Sequence, residues 1–330
     1  MKKILVTGGA GYIGSFMVRQ LRLTGCDPVV LDNLSQGHKE SVKDFRLEKI
    51  DLVTQKEKLD ALFSQEKFDG VIHMASFIQM GESFKDPAKY YRNNVSGFIN
   101  LLDSMKNNKV TNIILSSTAG IYGNPIRVPI MEEDIKNPLN AYGDSKYMME
   151  RMLEDYDSAY GIKFISLRYF NAAGAALDGS IGEDHPEESH LIPNLIKSVL
   201  ENTEFTLFGD NYETPDGTCI RDYIHVLDLT EAHSLAIQAI IDGKPSGFYN
   251  MGIGKGYSNR EVVSKVEEVT GSKIQIRIAP RREGDAAALY ADNGKIKKEL
   301  NWEPRYDLQK IVESAYLWHK NHPRGYNSDR

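Results

Sequence analysis

The 330-residue chain has only two cysteines, Cys26 and Cys219, too few and too far apart for a disulfide framework or a cysteine zinc site. No apolar run reaches the roughly 18 residues that a membrane span needs, and the first residues read as a strand rather than a signal peptide. A cytoplasmic protein with no membrane partner is therefore expected. Positive charge is also scarce: 40 Lys+Arg against 46 Asp+Glu leave a net charge of −6 and a pI near 5.8, which argues against a nucleic-acid partner. Internal repeats, low-complexity tracts and long linkers are missing too. What the chain does have is apolar content, 41% over its length, enough for a large core in one large or two unequal domains.

The N-terminus carries the first motif. Lys3 to Thr7 is a short apolar run that breaks into glycines and then into a helix pattern, with Gly8, Gly11 and Gly14 spaced for a dinucleotide turn. Gly8 and Gly11 let the backbone turn and approach a pyrophosphate, and Gly14 lets the helix pack closely on the sheet. The N–H groups and dipole of the helix start, around Tyr12 and Ile13, favour the phosphates. A second strand, Val29-Val30-Leu31, ends in Asp32, whose carboxylate suits both hydroxyls of an adenine ribose and repels a 2′-phosphate. No arginine adjoins it, so NAD is expected rather than NADP.

Strand patterns at 3-7, 28-32, 46-50, 70-74, 111-117 and 163-168 alternate with helix patterns, including 94–105 and 141–160. This alternation predicts an α/β protein with a Rossmann-like, doubly wound parallel sheet and a smaller C-terminal α/β substrate domain. The expected division is 1-170 for the NAD-binding domain, with return segments near 220-252, and 171-330 mainly for the substrate. Loops rich in Gly, Asp, Glu and Pro at 174–190 and 209–217 are candidates for lining the site. The 141–160 helix carries Met148, Met149, Met152, Leu153 and Tyr156 on more than one stripe, so it must bury more than one face.

Tyr142 and Lys146 stand four residues apart on that helix and meet on one face. A free phenol has a pKa of about 10, so a tyrosine base near neutrality needs a shift of roughly 3 units, about 4 kcal/mol. A unit charge roughly 4 Å away, at an effective dielectric of about 20, supplies that much. The strand Ile113-Ile114-Leu115 opens into Ser116-Ser117-Thr118 at its C-terminal end, where ligands of open α/β sheets bind.

Together, the glycine turn, Ser116-Ser117-Thr118, Tyr142-x-x-x-Lys146 and Arg168-Tyr169-Phe170-Asn171 resemble the extended short-chain dehydrogenase/reductase superfamily. Within it the chain looks most like the UDP-glucose 4-epimerase family, a resemblance running from residue 2 to about 320. It rests further on Asp32-Asn33-Leu34-Ser35, His73-Met74-Ala75, Gly81-Glu82-Ser83, Asn93-Asn94-Val95, Arg221 to Val226 and Arg282-x-Gly284-Asp285.

The resemblance implies interconversion of UDP-glucose and UDP-galactose. Tyr142 takes the proton of the sugar 4-hydroxyl while C4 passes hydride to NAD, and the 4-keto sugar turns over and is reduced on its other face. Lys146 lowers the Tyr142 pKa and holds the nicotinamide ribose, and Thr118 bonds the 4-oxygen. Cofactor contacts are implied for Gly8, Gly11, Tyr12, Ile13, Gly14, Asp32, Asn33, Asp51, Leu52, Ala75, Asn94, Ser116 and Tyr169. Substrate contacts are implied for Thr118, Asn171, His190, Leu191, Phe208, Arg221, Tyr223, Arg282, Asp285 and Leu289. The two arginines flank the diphosphate, where a guanidinium offers paired donors. A homodimer through a four-helix bundle is expected.

Three departures stand out: Ile78 replaces a lysine common in relatives, His190 replaces an asparagine, and Leu289 is intermediate where a small residue favours N-acetylated sugars and tyrosine excludes them. Epimerisation of UDP-N-acetylglucosamine, UDP-glucuronate or UDP-xylose is therefore the alternative activity, with a non-enzymatic NAD-binding regulator behind it. A dehydratase fits less well, because Thr118 is followed by Ala119-Gly120 rather than an acidic pair. His185, His190 and His225 show no metal-like grouping with carboxylates or cysteines, so no metal is expected.

Overall fold

A computed structural model describes residues 1–282 and 284–326. In its first half run β1 (Lys3–Thr7), β2 (Asp27–Asp32), β3 (Arg46–Lys49), β4 (Gly70–His73), β5 (Asn112–Thr118) and β6 (Lys163–Tyr169). Between them lie α1 (Tyr12–Leu23), α2 (Lys56–Gln65), the short α3 (Met80–Lys85) and α4 (Pro87–Tyr90), α5 (Gly97–Asn107) and α6 (Ala141–Tyr160). The second half contributes β7 (Asn171–Ala173), α7 (Leu191–Glu201), β8 (Phe205–Phe208), β9 (Ile220–Arg221), β10 (Tyr223–His225), α8 (Val226–Ile241) and β11 (Gly247–Met251). It closes with β12 (Tyr257–Ser258), α9 (Asn259–Thr270), β13 (Ile276–Ala279), β14 (Ala288–Leu289), α10 (Gly294–Leu300) and α11 (Leu308–Asn321).

Seven strands form one parallel sheet in the order β11-β6-β5-β4-β1-β2-β3. The chain leaves β1 toward β2 and β3 and then returns to β4 on the other side, so a crevice opens at the C-terminal ends of β1 and β4. Both faces are covered because both carry apolar side chains. Met17, Val18 and Leu21 of α1 recur at helical spacing and join Leu229, Ala236 and Ile237 of α8 on one face. Leu59 and Leu62 of α2, Phe98 and Leu101 of α5, and Met149 and Leu153 of α6 cover the other. Each such side chain, fully buried, contributes about 1.5–3 kcal/mol.

Helix α6 begins where it does because Asn140 caps it, its side-chain oxygen accepting from the Gly143 N–H at 2.9 Å. It ends on Gly161, which takes a left-handed φ of 70°. That start puts Tyr142 in the first turn, at the open end of the sheet. The helix expected over 94–105 begins instead as a π-helical turn, Tyr91–Ser96, before α5. Side-chain ties replace regular helix geometry there: Asn94 bonds Phe77 and Ser145, and Tyr91 donates to Asp144.

A second core forms from Ile192 and Leu195 of α7, Val262 and Val266 of α9, and Leu308 and Ile311 of α11, with Tyr223 among them. The chain does not divide cleanly at residue 170. Helix α8 and β11 return to the large sheet, and Ile296, Leu300 and Trp302 also pack in the first core, with the Trp302 indole donating to the Asp228 carbonyl at 2.9 Å.

Candidate active site

The crevice is built from the glycine turn outward. Gly8 has a left-handed φ of 70°, and a Cβ there would lie 2.6 Å from the backbone nitrogen of Ala75, so only glycine lets the β1 and β4 ends close up. A Cβ on Gly14 would come within 2.2 Å of the Gly8 carbonyl oxygen, which shows how tightly α1 sits on the turn. Gly8, Gly11, Asp32, Asn33, Leu52 and Ala75 all line the cleft. Asp32 accepts from the N–H of Ala10 at 3.0 Å and of Leu34 at 2.8 Å. Burial pushes its carboxyl up, against those two bonds. Asp51 lies beside this end and accepts from the Asn33 amide at 2.7 Å. A cradle with no room for side chains, ending in a carboxylate with no arginine beside it, fits the diphosphate and adenine ribose of NAD.

Sequence reasoning missed several cleft residues, among them Ser35, Gly37, Ser76 and Asn93. Gly37 carried a readable signal, because a Cβ there would meet the Ala10 backbone at 2.7 Å. Asn93 lines the cleft in the place expected of Asn94. The Asn94 amide is fully buried and spent on Phe77 and Ser145, so it braces the cleft wall rather than facing in. Tyr12 donates to the Gly174 carbonyl at 2.6 Å, and Ile13 packs into the core beside it.

Thr118 ends β5 and Tyr142 starts α6, so the two hydroxyls stand at the same open end of the sheet, where the Thr118 hydroxyl accepts from the Gly120 N–H at 3.0 Å. Lys146, one turn further on, donates to the Ser116 carbonyl and to the Ser76 hydroxyl, both at 2.8 Å. The Ser116 side chain points away, pairing with His233 Nε2 at 2.8 Å, so Ser116 reaches the site through its backbone. Tyr169 stands across the strand pair from Thr118.

The protonation balance differs from the sequence expectation. Burial pushes the Tyr142 phenol up, opposed only by the Thr118 hydrogen bond. Burial also pulls Lys146 down to about 7, against the pull of Glu150. Desolvation penalises the charged form of both groups, so any attraction between a Lys146 ammonium and a Tyr142 phenolate works against that cost.

On the other side of the cleft, Arg221 donates to Asp285 at 3.4 Å and to the Ala286 carbonyl at 2.8 Å, while the Arg282 guanidinium lies 4.1 Å from the centre of the Phe208 ring. Leu289 pairs with Arg221 across β14 and β9 and packs in the same small cluster as Ala119, the residue after Thr118. Asn171 donates its amide to the Asp222 carbonyl at 2.9 Å. Asp222 in turn accepts from the N–H groups of Ile253, Gly254 and Ala291, which fastens this side of the site together.

Three expected substrate contacts sit elsewhere. Tyr223 is buried in the second core, and Leu191 packs partly against that core. The His190 ring turns to Glu183 and Glu188. The expectation that no histidine is grouped with carboxylates is also overturned: ligand atoms of Glu183, His185, Glu188 and His190 all lie within 4.8 Å of one another. They converge because the loop after β7 folds back on itself, without the regular period that sequence spacing can reveal. His225 caps α8 instead, accepting from the Leu227 N–H.

A buried phenol next to a strand-end hydroxyl, with an amine anchored one turn away and a dinucleotide cradle beside it, defines an enzyme that moves a proton and a hydride at an alcohol carbon. The sequence pattern of the NAD dependent epimerase/dehydratase family matches residues 4–252, and the chain belongs to that family. It is 47% identical to a UDP-glucose 4-epimerase of Halalkalibacterium halodurans over 99% of this chain and 98% of that protein. It is 46% identical to one from Lacticaseibacillus casei over 98% of each. The fold superimposes on the crystal structure of UDP-glucose 4-epimerase from Brucella ovis in complex with NAD with a TM-score of 0.93, at 42% identity, covering 96% of this chain and 98% of that one. Among the described residues no helix is long and apolar enough to cross a membrane.

Proposed function

We propose that this chain interconverts UDP-glucose and UDP-galactose by reversible oxidation at C4 of the sugar. One observation carries the reading: Leu289, the strand partner of Arg221, packs against the cluster that holds Ala119, which ties the strand of a diphosphate candidate to the end of β5 that carries Thr118. Relatives at 46–47% identity, similar over nearly their whole length, support the same activity.

Bound NAD supplies the hydride acceptor. Tyr142 takes the 4-hydroxyl proton, and Thr118, which opposes the upward push of burial on the phenol, holds the 4-oxygen and steadies the phenolate. Lys146, drawn down to about 7, changes between amine and ammonium near neutrality, and its ammonium form favours the phenolate. Arg221 and Arg282 grip the diphosphate, leaving the sugar free to present either face of the C4 ketone. Residues 171–330, apart from the segments that return to the first core, supply most of this grip. Proton and hydride both come back, so the stereocentre inverts without net redox change.

Exposed Ile99 on α5 and Met148 on α6 support a homodimer in which these helices meet their counterparts as a four-helix bundle. Light scattering at about twice 37.2 kDa is the expected result. Two unpaired cysteines suit a reducing, cytoplasmic setting.

The test uses purified protein with no added cofactor and UDP-galactose carrying deuterium at C4. The expected product is UDP-glucose that retains the label. Loss of the label to solvent overturns the internal hydride return. Leu289, intermediate in size, leaves one second reading, a 4-epimerase of UDP-N-acetylglucosamine, which a UDP-sugar panel separates from the first.

A further inference from the structure

We propose that Glu183, His185, Glu188 and His190 form a closed, four-ligand site for a divalent ion of the zinc class, outside the catalytic trio. The four side chains come from one short stretch, Glu-x-His-x-x-Glu-x-His, in the loop between β7 and α7. Both histidines present the same atom, Nδ1, to the same two carboxylates. His185 Nδ1 lies 3.3 Å from Glu183 Oε1 and 3.3 Å from Glu188 Oε2; His190 Nδ1 lies 3.6 Å from Glu188 Oε1 and also contacts Glu183 Oε1.

The two 3.3 Å separations from His185 are those of a tetrahedral shell, and all four ligand atoms lie within 4.8 Å of one another. Ligands about 2.0–2.1 Å from zinc stand roughly 3.3–3.4 Å from one another. Two imidazoles and two carboxylates also balance a dication, giving a neutral unit that is buried on its carboxylate side and open to water at His190, whose side chain is 40% exposed. The carboxylate side chains are only 3% and 4% exposed, so their charge has little access to water. Nitrogen and carboxylate donors in a four-cornered arrangement suit zinc better than magnesium or calcium, which take six or more oxygens.

Groups outside the quartet hold it in place. Glu188 Oε1 accepts the N–H groups of Ser189 at 2.8 Å and of His190 at 2.9 Å, leaving Oε2 turned toward His185. The Trp318 indole of α11 donates to the Glu183 carbonyl at 3.0 Å. The Asn194 amide of α7 donates to the Glu188 and His190 carbonyls at 3.2 and 2.9 Å. Such outer bonds orient metal ligands before the ion arrives. The His185 ring meets the edge of Tyr12, at the start of the dinucleotide helix, with centroids 6.5 Å apart. An ion here cross-links the 183–190 loop to itself and fixes the shape in which it meets α7, α11 and Tyr12. With all four positions filled by protein, its role is structural.

The competing arrangement is an ion-pair quartet in which protonated histidines neutralise the carboxylates with no metal. Full-length, untagged protein, purified without chelator and dialysed against zinc, separates the two by elemental analysis and X-ray absorption at the zinc edge. The expected result is about one zinc per chain with four nitrogen or oxygen ligands at roughly 2.0–2.1 Å. Glu188→Gln and His185→Ala are each expected to lower the content to about a tenth of that or less. Wild-type protein that holds no stoichiometric zinc, zinc retained equally by both variants, or a six-coordinate spectrum overturns the proposal. If a variant fails to fold, the wild-type metal content and spectrum decide the question alone.

Discussion

Glu150 and Arg168 form a two-point ion pair directly behind the trio, with Arg168 Nε 2.9 Å from Glu150 Oε1 and a terminal nitrogen 2.8 Å from Oε2. Glu150 lies one turn beyond Lys146 on α6, and Arg168 is on β6, so the pair pins the catalytic helix to the sheet. Ser117 and Ser166 donate to the same carboxylate, and Arg168 continues to the Tyr122 hydroxyl. Side chains only 2% and 1% exposed leave no water to replace a lost partner. Arg168→Met strands a buried carboxylate and is expected to cost about 3–5 kcal/mol in urea unfolding. A loss under about 1 kcal/mol would show that the carboxylate finds other compensation.

Tyr142→Phe removes the proton acceptor of the proposed reaction. Turnover is expected to fall about 10²-fold or more, while NAD remains bound, because the cradle around Gly8 and Asp32 is untouched. Near-normal activity would take Tyr142 out of its role. Absorbance of the bound cofactor separates lost chemistry from lost binding.

The sequence made the sheet, the dinucleotide turn and the Tyr142–Lys146 helix readable because each has a short period or a fixed spacing. Gly8, Gly11 and Gly14 announce a turn, and the alternation of strands and helices announces a doubly wound sheet. Features that depend on long-range packing were not readable. Burial reverses the expected electrostatics of Lys146, Asn94 braces the wall while Asn93 faces the cleft, and four loop residues converge around Glu183 with no regular period. Trp302 and α10 join the first core although they follow the substrate segments in sequence.

His233 predicts an acid limit to stability. Its ring is fully buried; Nδ1 donates to the Leu229 carbonyl at 2.8 Å, and in the neutral form Nε2 accepts from the Ser116 hydroxyl. Burial pulls its pKa from 6.5 to about 4. Between those values the unfolded chain binds the proton and the folded chain does not, so stability is full above pH about 6.5 and falls as the pH drops toward 4. The slope is at most about 1.4 kcal/mol per pH unit for this one group. His233→Gln should flatten the curve by that amount. Urea unfolding at a series of pH values checks it, and parallel curves for the two proteins would assign the acid limit to other groups.

Leu289 is the residue on which sugar choice is expected to turn. It is held from two sides: by strand pairing with Arg221 and by packing with Ile121, Ile130 and Phe170 beside the strand end that carries Thr118. A side chain so placed cannot swing away, so its volume becomes the pocket's volume. Leucine leaves room for a hydroxyl at C2 of the hexose and crowds an N-acetyl group. Leu289→Ala should therefore raise kcat/KM for UDP-N-acetylglucosamine relative to UDP-glucose by about tenfold or more, the scale of 1–3 kcal/mol for a few methylenes in an apolar pocket. Leu289→Tyr should lower the same ratio and leave UDP-glucose turnover within a few-fold. Competition assays with both sugars in one vessel read the ratio directly. If neither substitution moves it, selectivity is set by the other cluster members, and Leu289 serves only to hold β14 beside β9.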